Sequence, residues 1–274
     1  MTMTQADKAQ QFRALHQRPG AFLIPNPWDP GSARILTGLG FEALATSSAG
    51  SAAALGRRDG KLNRDQALAH CRAIVASTDL PVSADLENGF SHTPEEVAET
   101  VRLAAEAGLV GCSIEDATGD AEKSLYDIQL ATERIEAAAK TARSLPFPFA
   151  LTARTETFVR GRPDLDESIK RLVAYERSGA DVLFAPGLPD LAAVKVVCST
   201  VSKPVNFMVG IRGKSFSVAE LLEAGVKRIS FAASFYRAAM TGFINAAREA
   251  NERGTFSYLD TTITSAEMLR FFLD

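Results

Sequence analysis

Short apolar runs alternate with amphipathic stretches along almost the whole chain. Four runs share one grammar: residues 40–47 (GFEALATS), 108–115 (GLVGCSIE), 179–186 (GADVLFAP) and 225–232 (GVKRISFA). In each, a glycine closes a helix in the left-handed cap conformation, and an apolar strand follows that ends on a small, polar or acidic residue. Three more runs, 82–84, 147–153 and 205–208, follow a proline. Proline donates no ladder hydrogen bond, so it belongs at a strand entrance. With Phe22–Pro25 these make eight short strands. Helical periodicity covers roughly 29–39, 63–77, 94–107, 127–143, 165–178, 188–201, 217–224 and 234–252, and further helices are predicted over 5–16 and 264–271.

Strands alternating with helices indicate parallel βαβ units, and eight such units predict an α/β fold, a closed (β/α)8 TIM barrel. An open doubly wound sheet would carry a glycine-rich phosphate loop after its first strand. Here that loop is Asn26-Pro-Trp-Asp-Pro30. Residues 1–274 read as one barrel domain, with 253–274 a helical tail. Its Met268, Leu269, Phe271 and Phe272 need an apolar partner, for which a second subunit is one candidate.

Composition narrows the function classes. The chain has 274 residues, 46% hydrophobic and 23% charged, with a formal charge of −3. That balance makes no case for nucleic acid or an anionic membrane as partner. Cys71, Cys112 and Cys198 form no CxxC pair, which suits a reducing cytoplasm, and His16, His70 and His92 are too dispersed for zinc. The stretch Met1–Arg18 is polar, so no signal peptide is expected, and no apolar run approaches the ~18 residues of a membrane span.

In a barrel of this kind the chemistry sits at the C-terminal strand ends. Those ends supply Asn26, Trp28 and Asp29; Ser47, Ser48 and Ala49; Asp85 and Glu87; Glu115 and Asp116; Arg154 and Glu156; Asn206; and Ser230. In the stretch 82–90 (VSADLENGF), alternation puts Asp85 and Glu87 on one side of an extended backbone. Two close carboxylates either share a cation or proton, or end the strand in solvent. Carboxylates without histidine or cysteine select a hard cation, Mg2+ or Mn2+. Arg154 is either a fork for a substrate carboxylate or an ion-pair partner of Glu156 or Glu115. Trp28 either walls the pocket or packs on the following helix. Lys203 lies at a strand entrance and Lys214 in a loop, which argues against Schiff-base chemistry. Cys112 reads as core, and His92 and Tyr126 are loop candidates for proton transfer.

Six segments in order resemble the isocitrate lyase/phosphoenolpyruvate mutase superfamily across roughly residues 20–245. They are 26–34 (NPWDPGSAR), 46–49 (TSSA), 55–59 (LGRRD), 84–87 (ADLE), 114–116 (IED) and 152–156 (TARTE). The resemblance implies that Asp85 binds Mg2+ directly and that Asp59, Glu87 and Glu115 hold it through waters. It implies that Ser47, Ser48 and Ala49 bind the substrate carboxylate and oxo group, and Arg154 the other acidic group, with Asn206 nearby. It also implies exchange of the eighth barrel helix between subunits of a homodimer or homotetramer. The loop 117–126 (ATGDAEKSLY) lacks the Cys-Gly-His of family isocitrate-type lyases, so their usual acid/base residue is missing.

These readings converge on a Mg2+-dependent lyase. It would cleave a C–C bond of a small 2-oxo or 2-hydroxy dicarboxylate, oxaloacetate- or malate-like, through a metal-stabilised enolate. Arg154, Glu115 and Asp59 are expected to carry catalysis, and Ser47, Ser48, Ala49, Asp85, Arg154, Asn206 and Trp28 to bind substrate. The alternatives are P–C bond chemistry on phosphonopyruvate and a non-catalytic oxo-acid-binding protein.

Overall fold

Helices begin where the sequence offers a cap. Asp29 accepts from Ser32 N with Pro30 in the first turn, and Asn63, Thr93, Asp164 and Asp190 start later helices in the same way. The computed structural model describes residues 3–160 and 163–272; the other positions, including the last two of the predicted tail, lie outside the described residues. The elements run α1 (Gln5–Gln17), β1 (Phe22–Ile24), α2 (Pro30–Gly38), β2 (Leu44–Ala45), α3 (Ser48–Ala54), α4 (Arg64–Val75), β3 (Val82–Asp85), α5 (Pro94–Glu106) and β4 (Gly111–Glu115). They continue α6 (Ile128–Ser144), β5 (Ala150–Arg154), α7 (Leu165–Arg177), β6 (Val182–Phe184), α8 (Leu191–Thr200), β7 (Val205–Met208), α9 (Val218–Glu223), β8 (Arg228–Ser230), α10 (Ser234–Arg253) and α11 (Ser265–Leu269).

All strand pairs are parallel, in the order β1-β8-β7-β6-β5-β4-β3-β2. Between β1 and β2 there is no ladder. Ala45 N donates to Pro25 O at 3.0 Å, and Asn26 Nδ2 donates to Thr46 O at 3.0 Å. These two bonds close the eight strands into the (β/α)8 barrel that the alternation predicts.

Two apolar clusters hold the barrel. The larger lies between the strands and the surrounding helices. The smaller is a plug: Ala9, Phe12 and Leu15 of α1 meet Phe22, Ile24, Ala43 and Val110 at the N-terminal ends of the strands. The plug needs Gly111. A Cβ there would stand 2.6 Å from Ala150 O and 3.2 Å from the Phe12 ring, which a side chain could not tolerate.

Three features go beyond the predicted order of elements. Residues 48–54, which lie outside the predicted helices, form α3, with Ser47 as its N-cap. The tail finds part of its partner within its own chain, because the Phe271 ring rests on Gly38 of α2. Helix α10, by contrast, buries no residue, and its Phe243 is 67% exposed. Among the described residues no helix is long and apolar enough to cross a membrane.

His16, on α1, couples the plug to pH. Its Nδ1 is bonded to Phe12 O at 2.8 Å, its ring lies edge-on to Phe12 and Phe22, and its Nε2 is buried without a partner. Burial, and then the nearby Arg228 charge, push its pKa down to about 3. The unfolded chain therefore binds a proton near pH 6.5 that the folded chain refuses, and stability from this group falls as pH drops below 6.5. Between pH 7.5 and 5 the wild type is expected to lose about 1–2 kcal/mol more than His16→Gln. Urea unfolding of both proteins at the two pH values measures the difference; equal losses would contradict it.

Candidate active site

The site is built on the ends of β3, β4 and β5. Strand β3 stops at Asp85, and the chain then turns through left-handed residues: Glu87 at φ 49°, Gly89 at 76° and Phe90 at 59°. A glutamate in this region is held there against its own preference. Two bonds hold it: Glu87 N donates to Asp85 Oδ1 at 3.2 Å, and Glu115 N donates to Glu87 O at 2.9 Å. Simple alternation therefore does not describe the pair, since Asp85 ends the strand and Glu87 reaches the site from a turn.

Beneath this turn lies Arg134, among the most buried side chains of the chain. It donates to the carbonyls of Glu115 (3.3 Å), Ser91 (3.0 Å) and Asn88, and its guanidinium sits 4.0 Å from the Tyr126 ring centroid. Asp116 belongs to the same supporting layer and not to the mouth. Its Oδ2 takes Arg171 Nη1 at 3.0 Å and Tyr175 Oη at 2.7 Å, and its Oδ1 takes Glu156 N at 2.8 Å.

Arg154 occupies the centre. Cross-strand register sets it beside Glu115 on one side and Phe184 on the other. Its Nε lies 2.5 Å from Glu156 Oε1 and 3.3 Å from Glu115 Oε2, and its Nη1 lies 3.4 Å from Asp85 Oδ2. Asp85 also accepts from Ser48 N at 3.3 Å and Ser113 Oγ at 3.4 Å. Arg160 adds a second cation, 3.2 Å from Glu156 and 3.5 Å from Glu115. Arg154 thus makes the ion pairs with Glu156 and Glu115 while also facing the cavity.

Electrostatics record the crowding. Burial, then Asp85 and Asp59, push the Glu87 carboxyl up to about 7. Burial raises Glu115 well above the carboxylate range, Glu156 and Asp85 adding to it against the pull of Arg154. Burial alone would lower Arg154, yet Glu156, Glu115 and Asp85 hold it well above its ordinary value. Asp85, Glu87, Glu115 and Asp59 are hard oxygen donors in an acid-rich mouth, and a divalent cation fits that chemistry. Among the described residues no set of three such side chains is already gathered as ligands.

Two connected cavities open at this end. The outer, about 1070 Å3, is lined by Glu87, Glu115, Glu156, Arg160 and His92 among others. The inner, about 210 Å3, is lined by Ser47, Ala49, Asp85, Asn206, Ser230 and Arg228 among others. Ser48, Asp59, Arg154 and Met208 line both. Trp28 is absent from both linings; its indole meets Tyr236 edge-on at 5.6 Å, and its carbonyl is bonded to His70 Nε2 at 2.8 Å. His92, which lines the outer cavity, is bonded through Nδ1 to the buried Tyr126 Oη at 2.7 Å. Loop 117–126 is a small hairpin, closed by the Ala117–Leu125 bridge and by Thr118 N to Ser124 O at 3.0 Å. Cys112 is fully buried core. Lys203 lines a pocket at the opposite end of the barrel, with Arg13 and Phe147.

Sequence reasoning passed over Arg228, Arg134 and Arg160. Arg228 was legible in principle: it shares a strand face with Ser230, which stands among the strand-end residues. Removing the central cation should expose the strain of the cluster. Arg154→Met leaves Asp85, Glu115 and Glu156 without their shared partner, and a loss of about 3–5 kcal/mol is expected. Denaturant unfolding without added metal measures it; a loss below about 1 kcal/mol would show that the carboxylates do not depend on Arg154.

Residues 12–251 match the phosphoenolpyruvate phosphomutase family. A crystal structure from Burkholderia cenocepacia J2315 superposes with a TM-score of 0.96 at 52% identity, covering 98% of this chain and 97% of that one. The 2-methylisocitrate lyase of Escherichia coli K12 is 29% identical over 269 residues, 94% of this chain and 89% of that protein. The 2,3-dimethylmalate lyase of Eubacterium barkeri is 29% identical over 272 residues, 94% of this chain and 92% of that protein. With the barrel, the strand-end acids and the central arginine in place, the chain belongs to the phosphoenolpyruvate phosphomutase family, within the isocitrate lyase/phosphoenolpyruvate mutase superfamily.

Proposed function

We propose that this protein is a divalent-metal-dependent lyase that cleaves a C–C bond in a small 2-oxo or 2-hydroxy dicarboxylate. One observation carries the reading: Asp85, Glu115 and Glu156 crowd a single arginine at the strand ends, above an inner cavity of about 210 Å3 that fits a small acid. The named lyase relatives support the reaction class.

Asp85, Glu87, Glu115 and Asp59 would hold the metal, Mg2+ or Mn2+. Bound there, it supplies a Lewis acid for the negative charge that develops beside the breaking bond. The chain's own residues do the rest. Ser47, Ser48 and Ala49 present the start of α3 to the substrate's carboxylate and oxo group. Arg154 orients an acidic group, its planar fork matching a carboxylate. Arg160 and the Arg134 layer hold the carboxylates in position, so little reorganisation is needed during reaction.

Assembly belongs to the same reading. No residue of α10 is fully buried against its own barrel, although Phe235 and Tyr236 at its start touch it, and exchange of this helix between copies would cover Phe243 and Ile244. The protein is proposed to work in a reducing cytoplasm, consistent with its three free cysteines. A second reading, P–C bond chemistry on phosphonopyruvate, is favoured by the family's own description.

Turnover of an oxo-acid panel with and without Mg2+ tests the proposal. Metal-dependent C–C cleavage is expected; release of phosphate from phosphonopyruvate would favour the second reading, and binding without product a non-catalytic protein. Asp85→Asn should cost more activity than Glu87→Gln, and the reverse order in kcat/KM would remove the assignment of Asp85 as the inner ligand. In light scattering, Phe243→Glu should convert an oligomer to smaller species; a monomeric wild type would end the helix-exchange proposal.

A further inference from the structure

The floor of the inner cavity is unusual for a barrel. Barrel interiors are filled by bulky branched side chains in layers. Here Ser83, Ser113, Asn206 and Ser230 line the inner cavity, and Arg228 lies with them, 6% exposed. Its Nε donates to Asn206 Oδ1 at 2.8 Å, and Asn206 Nδ2 donates on to Ser230 Oγ at 2.9 Å. Its Nη1 is buried and has no partner.

Other buried arginines have more partners. Arg171 pairs with Asp116 and Glu167, and Arg134, although its Nε is likewise without a partner, donates to three carbonyls and lies over the Tyr126 ring. Arg154 has three carboxylates. Arg228 has one amide oxygen, and among the described residues it forms no salt bridge. The groups around it do not supply the missing charge. His16, close enough for Arg228 to lower its pKa, is held neutral. Asp85, which lines the same cavity, is already engaged by Arg154, Ser48 and Ser113. Burial pushes the guanidinium down to about 9, so it remains charged at neutral pH. A buried cation left uncompensated is costly to fold around, and a cost of this kind is tolerated where an anion arrives to meet it.

We propose that Arg228, held by Asn206 at the cavity floor, receives the distal carboxylate of the substrate and makes the site select dicarboxylic over monocarboxylic acids. This rests on the lyase reading and deepens it. Substrate would span the inner cavity from the acid-rich metal end at Asp85 to the cationic floor. The division of labour follows from charge: Arg154, largely neutralised by its carboxylates, orients the acidic group at the metal end, whereas Arg228 has a whole charge to offer the distal one.

Calorimetry with Mg2+ present tests this, using malate and lactate as a diacid and a monoacid that share a 2-hydroxy carboxylate. The wild type should bind malate about ten- to a hundredfold more tightly than lactate, the range of one charge-assisted hydrogen-bonded pair. Arg228→Met should bring malate down to lactate's level and leave lactate unchanged. Its apo form should melt higher than wild type, because the lone buried charge is gone. Arg228→Lys should restore part of the preference, and Asn206→Asp, which gives Arg228 a carboxylate of its own, should abolish it. A malate preference that survives in Arg228→Met, or equal loss of both acids, overturns the inference alone. A wild type that binds neither acid and cleaves no oxo-acid overturns the lyase reading, and the inference with it.

Discussion

Several carboxylates at the mouth of this barrel cannot all be ionised and close together unless positive charge sits among them, and Arg154 is where that charge stands. It contacts Asp85, Glu115 and Glu156, residues contributed by three consecutive strands or the turns that follow them. Much of the surrounding architecture serves this cluster. The left-handed turn at Glu87 is pinned to β4, the buried Arg134 ties three carbonyls beneath it, and Asp116 holds the Glu156 backbone from behind. The Glu87 carboxyl is pushed up to about 7, first by burial and then by Asp85 and Asp59.

The two cavities divide the site by charge. The outer one is lined by Glu87, Glu115, Glu156, Arg160 and His92. The inner one descends to a floor of small hydroxyl side chains, Asn206 and Arg228. Strand-end residues meet at the junction, where Ser48, Asp59 and Arg154 touch both. Below the floor, α1 plugs the opposite end of the barrel with Phe12 and Leu15. Arg228, which lines the inner cavity, is also near enough to His16 of α1 to push its pKa down, so the plugging helix and the inner cavity are electrostatically linked through one arginine.

The alternation of apolar runs with helical periods, and the glycines and prolines that punctuate it, carried the eight strands, the helix order and the barrel. These are local properties: a cap, a left-handed glycine and a proline-led strand act over a few residues. The strand ends were legible for the same reason, so Asp85, Glu115, Arg154 and Asn206 could be named before any contact was known. The seven-residue α3 was not, because an alanine- and serine-rich stretch of one amphipathic turn or two carries too little period to separate it from a loop.

What needed the tertiary structure was every statement about which group faces which. Asp116 stands next to Glu115 in sequence, yet packing sends it outward to Arg171 and Tyr175. Trp28 follows a strand end, yet its ring goes to Tyr236 on α10 rather than into the cavity. Arg228 lies within a predicted strand, and only barrel closure turns it into a buried cation whose one partner is the Asn206 amide oxygen. The sequence by itself determined the elements and the supply of charged groups at their ends, because those depend on near neighbours in the chain. Burial, charge pairing and the direction of each side chain depend on residues as far as 205 positions apart, as with Phe231 N and Asn26 Oδ1, and so were decided only when the barrel closed.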